Sequence, residues 1–226
     1  IPTASQLADT GDEYVDVFNS MGVPNVHNLK IHTRLDATTN MSHQETLAKC
    51  TGIFMTGGNQ LLLSTTLGGT PIAKLIRRLN AKGVHVAGTS AGAAFISGFM
   101  IAGGQAGLMP RCNMVNLAPG LGLTNQLLVD QHFSQRDRLG RLLAALSYNP
   151  YMVGVGIDED TAACLCPDNI IEVIGSGMIT IVDFSHLKHS SLHKARDNAP
   201  ISLVDIRMHM LLEGQKFDLN TSLVEF

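Results

Sequence analysis

Residues 84–96 constrain the fold more than any other stretch of the chain. Val84-His85-Val86-Ala87 reads as a short buried strand, Gly88-Thr89-Ser90-Ala91-Gly92 as a tight turn, and Ala93-Ala94-Phe95-Ile96 as the opening of a helix. Small residues on both sides of Ser90 let the backbone bend sharply and leave its hydroxyl exposed. A strand that feeds a helix through so short a turn is the unit of a parallel sheet, because the chain must cross back before another strand can run the same way. The turn admits two readings of Ser90, as a nucleophile or as a residue that caps helix amides.

The rest of the chain to about residue 150 repeats this alternation. Tyr14, Val15, Val17, Phe18 and Met21 lie on one helical face within Asp12–Met21, with Gly22 as a stop. Val26–Ile31 reads as a strand, and Ser42-His43-Gln44-Glu45 as a capping box that opens a helix through Lys49. Gly52–Thr56 follows as a buried strand ending in Gly57-Gly58-Asn59-Gln60; Thr70 and Pro71 then start a helix with the apolar stripe Ile72, Leu75, Ile76 and Leu79. Glycines and prolines make 101–126 a long loop, Leu127–Asp130 is a strand, and Ser134–Leu146 is a helix. After Val153–Ile157 come four strand-like segments, Thr161–Cys166, Asn169–Ile174, Met178–Phe184 and Ile201–Leu211, with Gly175-Ser176-Gly177 as a turn. The expectation is an α/β fold, a mostly parallel sheet covered by helices with antiparallel strands added by the C-terminal third. In such sheets ligands bind beyond the carboxyl ends of the strands, where Gly57-Gly58-Asn59-Gln60 and Ser90 fall.

With 226 residues and no linker, the chain is expected to form one domain over 1–226. Its 45% hydrophobic and 15% charged residues exclude a disordered chain. A net charge of −3 gives no reason to expect nucleic acid or an acidic membrane surface as partner, and no apolar run reaches the roughly 18 residues that span a bilayer. Cys50, Cys112, Cys164 and Cys166 form no C-x-x-C pair and read as buried thiols in a reducing compartment, as in a cytoplasmic protein. No signal peptide is visible, although Ile1-Pro2-Thr3-Ala4-Ser5 looks like the end of a strand whose beginning is missing, and a targeting segment would be lost with it.

A serine nucleophile needs a base, an acid that orients the base, and donors for the oxyanion. Among nine histidines, His132 in Asp130-Gln131-His132-Phe133 sits where a strand gives way to a helix, on the same expected sheet edge as Ser90. Gly156-Ile157-Asp158-Glu159-Asp160 places acids at the end of another strand, and since neighbours on a strand face opposite ways, only one of Asp158 and Glu159 serves the site. The order serine, histidine, acid differs from that of α/β-hydrolases. Oxyanion donors are expected from the amides of Ala91 and Gly58. Arg136, Arg138 and Arg141 are the sharpest local concentration of charge; at about 100° per residue, Arg138 and Arg141 share a helical face and Arg136 lies away from Arg138. They read either as a carboxylate clamp or as solvated helix surface.

Together, Gly57-Gly58-Asn59-Gln60, Gly88-Thr89-Ser90-Ala91-Gly92-Ala93, Asp130-Gln131-His132-Phe133 with Arg136, Arg138 and Arg141, and Gly156-Ile157-Asp158-Glu159 with Thr161-Ala162 resemble the cyanophycinase family in content, order and spacing. The resemblance runs from Ile1 to Phe217-Asp218-Leu219, but lacks the family's first strand and the glycine-rich acidic turn that follows it. It implies a class I glutamine amidotransferase-like, flavodoxin-like fold, related to aspartyl dipeptidase, and a serine-type exopeptidase that cuts cyanophycin to β-aspartyl-arginine. It also implies Ser90 as nucleophile, His132 as base and Glu159 as orienting acid, with Gln60, Asp130, Gln131, Arg136, Arg138 and Arg141 lining the substrate site. A homodimer without metal or cofactor is implied too. Two other readings compete with it: an aspartyl dipeptidase or isopeptidase acting on small peptides, and a non-catalytic amidotransferase-like binding protein.

Overall fold

The structure is a computed structural model that describes residues 1–226. It resolves into two compact units, one of Ile1–Phe99 with Ala118–Thr124, the other of Met100–Leu117 with Asn125–Phe226. The fold is α/β with seven α-helices and a mixture of parallel and antiparallel strand pairs.

In the first unit the order is α1 Thr10–Ser20, α2 Arg34–Thr39, α3 Met41–Ala48, β1 Gly52–Met55, α4 Gln60–Leu67, α5 Pro71–Asn80, β2 His85–Gly88 and α6 Ala91–Phe95. β1 and β2 pair in parallel, from Gly52↔His85 to Met55↔Gly88. The opening residues lie along the other edge of β1, where the Ile1 ammonium donates to Phe54 O at 2.8 Å and Thr56 N donates to Ile1 O at 3.1 Å. α1 rests its Tyr14 and Phe18 rings on Phe54, with centroids 5.2 Å away in each case, while Val17 and Met21 of the expected apolar face remain exposed. α5 begins at Pro71 as its sequence dictates: Thr70 accepts from Ala73 N, and Ile72, Ala73, Leu75 and Ile76 are buried.

Three expectations in this unit are corrected. Val26–Ile31 forms no ladder strand, although Leu29 and Ile31 are buried and Thr3 Oγ1 donates to Ile31 O. The helix expected behind a Ser42 cap starts two residues earlier, at Met41, capped by Asn40, whose Oδ1 accepts from His43 N at 3.3 Å. The capping box lies instead at Thr33 and Asp36, at the head of α2.

β3 Phe99–Gly104 and β4 Val115–Pro119 form a two-stranded sheet where a loop was expected. Gly104 marks close approach rather than irregularity: a Cβ there would fall 2.8 Å from Met114 O. The second unit continues with β5 Leu127–Gln131, α7 Leu139–Tyr148, β6 Val153–Ile157, β7 Thr161–Leu165, β8 Ile170–Gly175, β9 Ile179–Asp183, β10 His189–Ser190, β11 Leu203–Val204, β12 Arg207–Leu211, β13 Lys216–Asp218 and β14 Leu223–Glu225. β5 and β6 are parallel, and β9 and then β12 add to β6 antiparallel, as the C-terminal strands were expected to do. A second sheet has the order β14-β13-β8-β7.

The glycines of β6 explain how α7 packs in this unit. A Cβ on Gly154 would meet Leu146 Cδ1 at 2.7 Å, and one on Gly156 would meet the Phe133 ring at 2.5 Å. Bare backbone at these two positions lets the helix and the ring lie against the strand. The helix expected over Ser134–Leu146 is broken: Ser134–Arg136 is a 3-10 turn, Asp137 is left-handed at φ 49°, and α7 starts at Leu139. Ile201–Leu211 is likewise divided by Asp205, at φ 62°.

Candidate active site

Ser90 stands between β2 and α6 with φ 51° and ψ −112°, a conformation rarely adopted by a residue that has a side chain. Its side chain caps no amide of α6, so the capping reading fails and the conformation needs another reason. Three glycines make the turn possible. A Cβ on Gly88 would lie 2.3 Å from the Gly92 carbonyl carbon, one on Gly92 would lie 2.2 Å from Met55 O, and one on Gly57 would lie 3.2 Å from Ser90 Cβ. Gly88 and Gly92 therefore let α6 descend onto the ends of β1 and β2, and Gly57 keeps the space beside the serine open. The chemical part of Gly57 escaped the sequence reading; its signal was the glycine pair directly after a buried strand.

The other predicted residues of this unit lie at the same strand ends. Gly58 has φ 137°, and a Cβ there would lie 2.0 Å from Ala4 O, so its missing side chain accommodates the chain's own backbone. Gln60 is the first, half-buried residue of α4, behind its cap Asn59. Ala91 is buried at the start of α6.

In the second unit, His132 follows β5 and Glu159 follows β6. His132 has φ 50°, and its Nδ1 lies 2.7 Å from Glu159 Oε1. The spacing of the two sequence motifs thus reflects the parallel register Gln131↔Ile157, which sets the following residues side by side. The histidine side chain is 24% exposed and the glutamate 54%, so the pair faces solvent. Asp158 turns away, is buried, and accepts from Ser134 N at 2.9 Å, which divides the two acids as strand alternation requires. With Nδ1 2.7 Å from a carboxylate oxygen, the imidazole ring is held in one orientation.

The arginines depart most from expectation. Arg141 grips Asp130 in a two-pronged pair, Nε to Oδ2 at 2.6 Å and a terminal nitrogen to Oδ1. Arg138 donates to Asp130 Oδ1 at 3.4 Å, to Gln131 Oε1 at 2.9 Å and to the Gln131 carbonyl. Asp130, Gln131, Arg138 and Arg141 are all buried, and Arg136 alone of the three arginines is exposed. The break at Asp137 separates Arg136 from the other two. Burial pushes the Arg138 guanidinium down to about 10, against the pull of Asp130. Neither an open clamp nor solvated helix surface describes these residues; Asp130, Arg138 and Arg141 are a buried charge network beneath the residues that precede His132.

No three His, Cys, Asp or Glu side chains gather in a set that would hold a metal ion, and no helix is long and apolar enough to cross a membrane.

The chain is similar to known proteins in sequence and in fold. The chain is 42% identical over 223 residues to the cyanophycinase of Geminocystis herdmanii, covering 98% of this chain and 82% of that protein. It is 40% identical over 221 residues to the cyanophycinase of Trichormus variabilis, covering 97% and 74%. Among solved structures, a peptidase from an acI-B1 Actinobacterium superposes with a TM-score of 0.67 at 18% identity, over 96% of this chain and 81% of that one. A putative peptidase E protein from Listeria monocytogenes gives 0.50 at 23% identity, over 76% and 81%. These two likenesses bear on the fold alone and agree with the flavodoxin-like, amidotransferase-like architecture. Residues 1–173 match the description "Peptidase family S51", and the chain therefore belongs to that family of serine-type peptidases.

Proposed function

We propose that this peptidase degrades cyanophycin as an exopeptidase, releasing β-aspartyl-arginine through an acyl-enzyme. The observation that carries the reading is the serine held at φ 51° between strand and helix, a nucleophile elbow, in a chain 42% identical to a cyanophycinase. Ser90 Oγ attacks the scissile carbonyl while His132 takes its proton, and Glu159 on Nδ1 stabilises the imidazolium. The amides of Ala91 and Gly58 receive the oxyanion. Collapse of the tetrahedral intermediate expels the amine, which takes the proton from His132. Water, deprotonated in turn by His132, then cleaves the ester and regenerates the Ser90 hydroxyl.

Burial divides the substrate-site residues. Gln60 and exposed Arg136 meet the substrate directly, with Arg136 suited to its carboxylates. Asp130, Arg138 and Arg141 act from below by holding Gln131 and the turn to His132. All four cysteines are free thiols, half-buried or, at Cys164, exposed where burial was expected, and free thiols favour a reducing, cytoplasmic setting. The reading also includes a homodimer, which sedimentation of the purified protein tests.

The deciding experiment incubates purified Ser90→Ala and parent enzyme with cyanophycin and identifies the product. Loss of β-aspartyl-arginine release with an unchanged circular dichroism spectrum is expected. Release at the parental rate would remove Ser90 from the chemistry.

A further inference from the structure

The segments that carry His132 and Glu159 are tied together by bonds that the reaction does not use. Beyond the last rung of the β5–β6 ladder, Phe133 N donates to Ile157 O at 3.1 Å and Ser134 N to Asp158 Oδ1 at 2.9 Å. In the opposite direction, Glu159 N donates to Gln135 Oε1 at 3.2 Å. Each segment thus lends the other a side-chain acceptor, and the His132–Glu159 contact lies between these crossed bonds. The side-chain amide of Gln135 must present its oxygen here, because a backbone N–H can only donate.

This bracing answers a physical need. The Glu159 side chain is 54% exposed, and an ion pair in solvent restrains its partners weakly. The register of the two backbones therefore decides whether imidazole and carboxylate meet. Asp158 holds the His132 side and is buried, whereas Gln135 is exposed and has no place in the core. Its side-chain oxygen accepts from Glu159 N.

We propose that Gln135 is a positioning residue that acts through Glu159, its side-chain oxygen fixing the backbone so that the carboxylate meets His132 Nδ1. The role rests on the catalytic parts given above to His132 and Glu159. It belongs to the folded enzyme's geometry and not to substrate recognition, so its loss falls on turnover and leaves KM unchanged.

The test is a double-mutant cycle on cyanophycin, with Gln135→Met, Glu159→Gln and the double variant. Methionine keeps the length and removes the acceptor. Gln135→Met is expected to lower kcat by about tenfold, the order of loss that a misplaced catalytic group produces, with KM and thermal midpoint at parental values. In the Glu159→Gln background the same change is expected to cost nothing further, because the group it serves is already gone. Parental kcat in Gln135→Met, or an equal loss with and without Glu159, overturns the positioning role while leaving the triad standing. Full activity of Glu159→Gln overturns the triad reading and the positioning role with it.

Discussion

The sharpest consequence at the scale of single residues concerns the charge network under β5. Asp130 is 1% exposed and Arg141 5%, so the pair has lost most of its hydration and each charge depends on the other. Arg141→Ala leaves a buried carboxylate facing only Arg138 and is expected to cost about 3–5 kcal/mol, read as a lower denaturant midpoint in urea unfolding. A loss below about 1 kcal/mol, typical of exposed ion pairs, would show that solvent reaches the site. Arg138→Ala belongs to the same class, since its guanidinium holds Gln131 and Asp130. The motif was legible in the sequence, but its chemistry was not. Helical periodicity already set Arg136 apart from Arg138 and Arg141, but it did not show that the latter two turn into the core while Arg136, before the left-handed turn at Asp137, stays exposed.

Among the elements, those with strong local signals formed where the sequence pointed. α5 carries a cap, a first-position proline and an apolar stripe, and its residues 71–80 follow from these alone. Thr70 is 2% exposed, accepts from Ala73 N and donates to Leu67 O at 2.6 Å. Thr70→Ala is expected to lower stability by about 1 kcal/mol, with Thr70→Ser close to parental in the same thermal melts. Two strands whose existence depends on each other were not legible. β3 and β4 sit in a glycine-rich stretch that reads as loop, and they are strands because each supplies the other's ladder. Conversely, Val26–Ile31 has the composition of a strand but forms no ladder. Strand pattern describes a half-buried surface; hydrogen bonding across the sheet makes the strand.

For the whole molecule, acid tolerance depends in part on carboxylates that the fold keeps ionised. Burial works to raise the Asp183 carboxyl, but Ser185 N at 2.8 Å and Ser185 Oγ at 2.6 Å, with help from Ser222 and Arg207, hold it below its ordinary value. A carboxylate with a depressed folded pKa contributes stability that is present above the unfolded value of about 4 and lost as pH falls through the folded one. Asp183→Asn should therefore flatten the fall in unfolding free energy below about pH 4 while lowering stability at neutral pH. Parallel pH curves for the two proteins would show that Asp183 is not part of the acid response. The sequence by itself determined the alternation of strand and helix, the turn that carries Ser90 and the family, because each rests on residues that are neighbours along the chain. The resemblance named Glu159 as the partner of His132, but only tertiary structure decided how the two meet, that Asp158 turns inward, and that Arg138 and Arg141 serve Asp130. Those outcomes depend on the register of β5 against β6 and on which side chains the packed core shields from water, and neither quantity is local in sequence.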